Sequence, residues 1–109
     1  MLETIRSSTD ISHVFAHGKR LSSSCITLLV CERTKEHDPS GRVAFIAGKK
    51  NGGAVWRNKA KRRMRAIALE MGAPWADIDV VFIAKPATTA QKYSKVLHQA
   101  ENLLHTYFD

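Results

Sequence analysis

Two patterns run through the same residues between Ala54 and about Met71. Trp56, Ala60, Met64, Ile67 and Met71 advance in steps of 4, 4, 3 and 4, which at 100° per residue holds them within about 40° of one line on a helix. Arg57, Asn58, Lys61, Arg62 and Arg65 fall on a neighbouring arc, from about 60° to 200° round the same axis. The stretch therefore predicts a two-faced helix, with one line for a core and a cationic flank beside it.

The charge is concentrated around that helix. Arg57 to Arg65 reads RNKAKRRMR, six basic residues in nine positions, inside a window from Pro39 to Leu69 that holds nine basic residues and no acidic one. The rest of the chain carries eight basic and ten acidic residues, so one surface accounts for the net charge of +7. A polyanion is the natural partner of such a surface. Like charges at i and i+4, such as Arg57, Lys61 and Arg65, repel by a few tenths of a kcal/mol per pair. Phosphates would offset that cost, since Arg donates to them bidentately and Lys supplies a point charge. Asn58, set among the cations, adds a directional donor and acceptor.

At 109 residues the chain predicts one domain spanning residues 1–109, and its 44% hydrophobic fraction is that of a folded protein. No run approaches the roughly 20 apolar residues of a membrane span, and MLETIRSSTD lacks signal-peptide order. A cytoplasmic protein is expected. Cys25 and Cys31 lie in one predicted strand, about 20 Å apart, so they cannot bridge each other.

Along the chain, Ser7 or Ser8 would cap a short helix through His17, with Ile11, Val14 and Phe15 on its apolar face and Gly18 as its stop. Cys25 to Glu32 reads as a strand covered on both faces. RTKEHDPSG would be the polar loop of a hairpin, with Arg42 to Ala47 returning antiparallel to it. GKKNGG is a glycine-rich loop before the basic helix. Gly72 and Pro74 end that helix, Ile78 to Ala84 forms another strand, and Pro86 opens a loop into a last helix from about Thr89. The last helix would pack through Tyr93, Val96, Leu97, Ala100, Leu103, Leu104 and Tyr107. With a further short strand near Lys19 to Ser22, the order αββ(β)αβα predicts an α+β fold with a small central sheet, and Arg42 to Ala84 suggests a parallel βαβ unit. Most such crossovers are right-handed.

Little else points to chemistry. Lys49, Lys50 and the loop glycines offer backbone N–H groups to a phosphate at the helix N-terminus, although loop glycines also serve simply as turn formers. His13 and His17 stand at i and i+4, yet no HExxH or third ligand accompanies them, and surface histidines account for them better. No Ser/His/Asp or Cys/His constellation is recognisable, so no catalytic residue and no protein metal site is expected. Phe15 would either stack on a base or join the core.

The stretch GKKNGGAVWRNKAKRRMR resembles the signature of the bacterial ribonuclease P protein subunit, with Ala54, Val55, Arg57, Asn58, Lys61, Arg62 and Arg65 at matching positions. Arg6, Asp10, Val14, Phe15, Gly18 and Lys19 resemble the family's N-terminal pattern, and RVAFIAGKK its strand into the signature. Lys59 stands where the family usually has a second Arg, keeping charge without the guanidinium fork. Ile11 replaces a Phe, Leu29 lies near an often aromatic position, and Gly53 replaces a common Asn.

The resemblance implies a protein that binds the catalytic RNA of ribonuclease P and the 5′ leader of precursor tRNA. It would be the non-catalytic subunit of an endoribonuclease holoenzyme whose RNA performs Mg²⁺-dependent hydrolysis to release the mature 5′ end, the Mg²⁺ being held mainly by RNA. It implies a left-handed βαβ crossover in place of the default. Catalytic-RNA contacts would come from Arg57, Asn58, Lys59, Lys61, Arg62, Arg65, Lys49 and Lys50. A cleft between the first helix and the sheet would place Phe15, Ile11, Lys19 and strand Ile26 to Val30 near the leader. One alternative is a ribosomal or ribosome-assembly protein that binds RNA without an enzymatic partner. Another is a DNA-binding module, but no helix-turn-helix pairing precedes the basic helix, and neither DNA nor membrane is expected as a partner.

Overall fold

The structure, a computed structural model, describes residues 5, 8–33 and 41–109. Its elements are α1 (Ser8–His17), β1 (Lys19–Ser22), β2 (Ile26–Glu32), β3 (Arg42–Ile46), a 3₁₀ turn (Lys49–Asn51), α2 (Ala54–Glu70), β4 (Ile78–Ala84), α3 (Pro86–Ala90) and α4 (Tyr93–Phe108). Ser7, one of the two candidate caps, Arg6 of the N-terminal match and residues 34–40 of the RTKEHDPSG loop lie outside the described residues.

The four strands form one sheet in the order β1-β2-β4-β3. β2 and β4 are apolar on both faces and buried over nearly their whole length, so each needs a strand on either side and a layer above and below. They take the centre, while the shorter β1 and β3 form the edges. This overturns the hairpin expected between β2 and β3. β4 inserts between them, antiparallel to β2 and parallel to β3, with Val43 opposite Val80 and Phe45 opposite Phe82. The parallel unit β3-α2-β4 is present as expected, and the architecture is α+β.

Alternation divides the core in two. Ile26, Leu28, Val30, Val43, Val80 and Phe82 face a layer made by α2 and α4, which contribute Ala60, Met64, Ile67, Ala68, Val96, Ala100 and Leu104. On the other face, Leu29, Cys31, Ala44 and Val81 pack with Val14 of α1 and with Ile5, with Ile11, Ile46 and Ile83 at the margin. The predicted stripe of α2 is thus its core line, with Ala68 added and with Trp56 and Met71 only partly buried.

Local chemistry sets the helix ends. Gly72 adopts φ +97. The Gly72 N–H donates to Leu69 O at 3.1 Å and the Ala73 N–H to Ala68 O at 3.0 Å, the paired closure of a Schellman motif. The segment after Pro86 is not a loop but α3: proline at its first position costs no hydrogen bond there, and the Lys85 N–H donates to Thr88 Oγ1 at 2.9 Å. The last helix consequently starts at Tyr93, four residues later than expected.

Candidate nucleic-acid interface

α2 rests on the sheet through its core line and turns Val55, Asn58, Lys61, Arg62 and Arg65 outward, where all five are exposed and line an open depression of about 570 Å³. Among the described residues, none of Arg57, Lys59, Lys61, Arg62 and Arg65 enters an ion pair. The arc therefore presents uncompensated cations held on a rigid support. Arg65 is additionally restrained, its guanidinium carbon 5.6 Å from the centre of the Phe45 ring, a cation–π distance. Arg57 is partly buried, Lys59 is exposed on the other flank, and Lys49 and Lys50 are exposed in the 3₁₀ turn. The N-terminus of α2 has neither a side-chain cap nor an acidic residue in its first turn. Of the loop glycines, Gly52 has a packing reason: a Cβ there would lie 2.9 Å from the Trp56 side chain.

Two members of the basic window have internal duties that sequence reasoning missed. Arg63 donates from Nη1 to Thr88 O at 3.1 Å and Gln91 O at 2.6 Å, and lies over the Tyr93 ring at 5.9 Å, so it ties α2 to the α3–α4 corner. Arg42 forks onto Asp79, Nε to Oδ1 at 3.2 Å and Nη2 to Oδ2 at 2.8 Å, while its Nη1 reaches Asp10 Oδ2 at 3.0 Å. Arg33 donates to the same Asp79 Oδ1 at 3.0 Å. Burial pushes the Asp79 carboxyl up, but the hydrogen bonds and charges of Arg42 and Arg33 outweigh it and hold the group below the usual carboxylate range. The available signal was Asp79 itself, one acid in an otherwise apolar strand.

The residues expected at the second site lie on α1 and at the start of β1. Phe15 is 47% exposed and takes no place in the core, Ile11 leans against the margin of the α1-side cluster, and Lys19 is exposed at the start of β1. Strand Ile26 to Val30 offers less than expected. Ile26, Leu28 and Val30 face the α2–α4 layer, and Thr27 and Leu29 on the α1 side are almost fully buried. The His13 and His17 rings lie 4.6 Å apart, and among the described residues no group of three or more His, Cys, Asp or Glu could hold a metal ion. No helix among them is long and apolar enough to cross a membrane.

Fold and surface together define a small α+β protein that displays a cationic helix face. Residues 2–107 match the family described as Ribonuclease P, and the chain belongs to that family of ribonuclease P protein subunits. It is 38% identical over 92 residues to the ribonuclease P protein component of Caulobacter vibrioides, a match covering 82% of this chain and 60% of that protein. The ribonuclease P protein of Thermotoga maritima superposes with a TM-score of 0.78 at 25% identity, covering 95% of this chain and 96% of that one. The Staphylococcus aureus protein superposes with a TM-score of 0.81 at 22% identity, covering 98% and 96%.

Proposed function

We propose that this chain is the protein subunit of a ribonuclease P holoenzyme in the cytoplasm, binding the catalytic RNA through α2 and the 5′ leader of precursor tRNA in the cleft between α1 and the sheet. The carrying observation is the outward arc of Asn58, Lys61, Arg62 and Arg65, whose cations are unpaired among the described residues and separate from the core line. Hydrolysis belongs to the RNA with its Mg²⁺. The protein's cations replace part of the divalent screening that two packed RNAs require. Reconstitution tests this reading: the protein alone cleaves nothing, and added to the catalytic RNA at low Mg²⁺ it accelerates release of the leader. Leader cleavage by RNA-free protein, or co-purification with ribosomal RNA in place of one catalytic RNA, refutes it.

A further inference from the structure

α1 is attached to the sheet along one line of residues and bears the candidate leader contacts on another. Asp10, Val14 and Gly18 follow one another at four-residue steps. Asp10 accepts from Arg42, Val14 is buried against the sheet, and Gly18 closes the helix with its N–H on Val14 O at 2.7 Å. A Cβ on Gly18 would lie 3.2 Å from Val30 O, so that end of the helix is pressed against β2. Ile11 and Phe15, one residue further on in each case, form a second line about 100° round the axis. A rotation of α1 by about 10° would carry a side-chain atom about 6 Å from the axis through about 1 Å. Val14 and Gly18 hold the middle and the C-terminal end of the helix, and a further fixed point toward its N-terminal end is needed to stop the turn.

Arg42 provides that point. Two of its nitrogens are committed to Asp79, whose side chain is 8% exposed and also accepts from Arg33 at Oδ1. The guanidinium plane is therefore set by the buried sheet network, and its remaining nitrogen, Nη1, meets Asp10 at a fixed place. The Asp10 carboxylate is 45% exposed, so this outer arm of the network contributes modestly to stability.

We propose that Arg42 and Asp10 are positioning residues that fix the rotation of α1, and with it the place of Phe15 and Ile11 for the precursor-tRNA leader. This rests on the reading that the leader lies in that cleft. The sign of the effect separates positioning from charge. Removing a carboxylate near a polyanion should by Coulomb's law tighten binding, whereas loss of a positioning contact weakens it.

The test uses holoenzyme reconstituted with the catalytic RNA and precursor tRNA bearing either a long leader or a single leader nucleotide. Asp10→Asn is expected to weaken affinity for the long-leader substrate about two- to five-fold, the range of an ion pair of this exposure. The one-nucleotide substrate and the affinity of the protein for the catalytic RNA should be unchanged. Asp10→Glu should recover most of the loss, and in a Phe15→Ala background Asp10→Asn should have no further effect. Unchanged or tighter long-leader binding, an equal loss on both substrates, or failure of Asp10→Asn to fold overturns the proposal. If Phe15→Ala leaves the preference for a long leader intact, the placement of the leader in this cleft fails, and the proposal fails with it.

Discussion

Replacing Asp79 by Asn removes the charge at the centre of the sheet network while nearly preserving shape. Asp79 accepts three hydrogen bonds from two arginines, whose side chains are 9% exposed for Arg33 and 18% for Arg42. Asparagine keeps one oxygen for two donors and turns an NH₂ toward a guanidinium N–H, leaving the buried Arg33 without an ion-pair partner among the described residues and Arg42 with Asp10 alone. Arg33 Nε already has no hydrogen-bond partner among the described residues, so that side chain has little other compensation there. Breaking a buried pair in this way costs about 3 kcal/mol or more. With a urea slope of about 1.5 kcal/mol/M for a domain of this size, the unfolding midpoint should fall by about 2 M. pH supplies a second check. The folded-state Asp79 carboxyl titrates below its usual range, so its contribution is fully present above the unfolded value, about 3.9, and is lost as pH falls through the folded one. The variant should therefore lose part of the acid limb of the stability profile. A loss below about 1 kcal/mol, or an acid limb identical to wild type, would show that the arginines find compensation elsewhere and refute the reasoning.

Neighbouring arginines should behave oppositely. Arg62→Ala is expected to lower the slope of log K against log[salt] for catalytic-RNA binding by about one unit without loss of stability, whereas Arg63→Ala should leave the slope unchanged and cost about 1–2 kcal/mol in urea unfolding through the lost Thr88 and Gln91 carbonyl contacts. Lys61→Ala should weaken RNA binding yet raise stability by up to about 0.5 kcal/mol, because it relieves repulsion with Arg57 and Arg65; a destabilised variant would contradict this. Lys59→Arg should be tolerated with a small gain in affinity, and Asn58→Ala should cost more binding than Lys59→Ala when both are measured at one salt concentration.

The elements were largely legible because their signals are local. α2 was read from its 3.6-residue period, and its stop from Gly72, whose positive φ permits the closure seen on Leu69 and Ala68. Strand neighbours are a non-local property. The reading of β2 and β3 as a hairpin relied on their adjacency in sequence, but IDVVFIA is apolar on both faces, and a strand of that kind belongs in the centre of a sheet. That argument was available from the residues and outweighs adjacency. The start of the last helix is hidden in the sequence because the five-residue helix before it has no periodicity long enough to detect.

The candidate site was legible as a face and not as a set of individual roles. The helical wheel separates Arg57, Lys61, Arg62 and Arg65 from the core line because angle depends only on spacing. It cannot say that the α3–α4 corner brings two carbonyls to Arg63, or that parallel pairing sets Arg42 opposite Asp79. Composition treats these two cations like the rest, yet their partners place them in the fold's own stability. Among the described residues the outward cations of α2 enter no ion pair, and the support beneath them is strong. Ala60, Met64, Ile67 and Ala68 are fully buried, and the two larger side chains alone stabilise by about 1.5–3 kcal/mol each, against a few tenths for each repelling pair on the outer face. α2 therefore holds its shape without ion pairs on this arc among the described residues, and a polyanion docking there would meet a helix already formed, without the ordering cost of a segment that folds on binding.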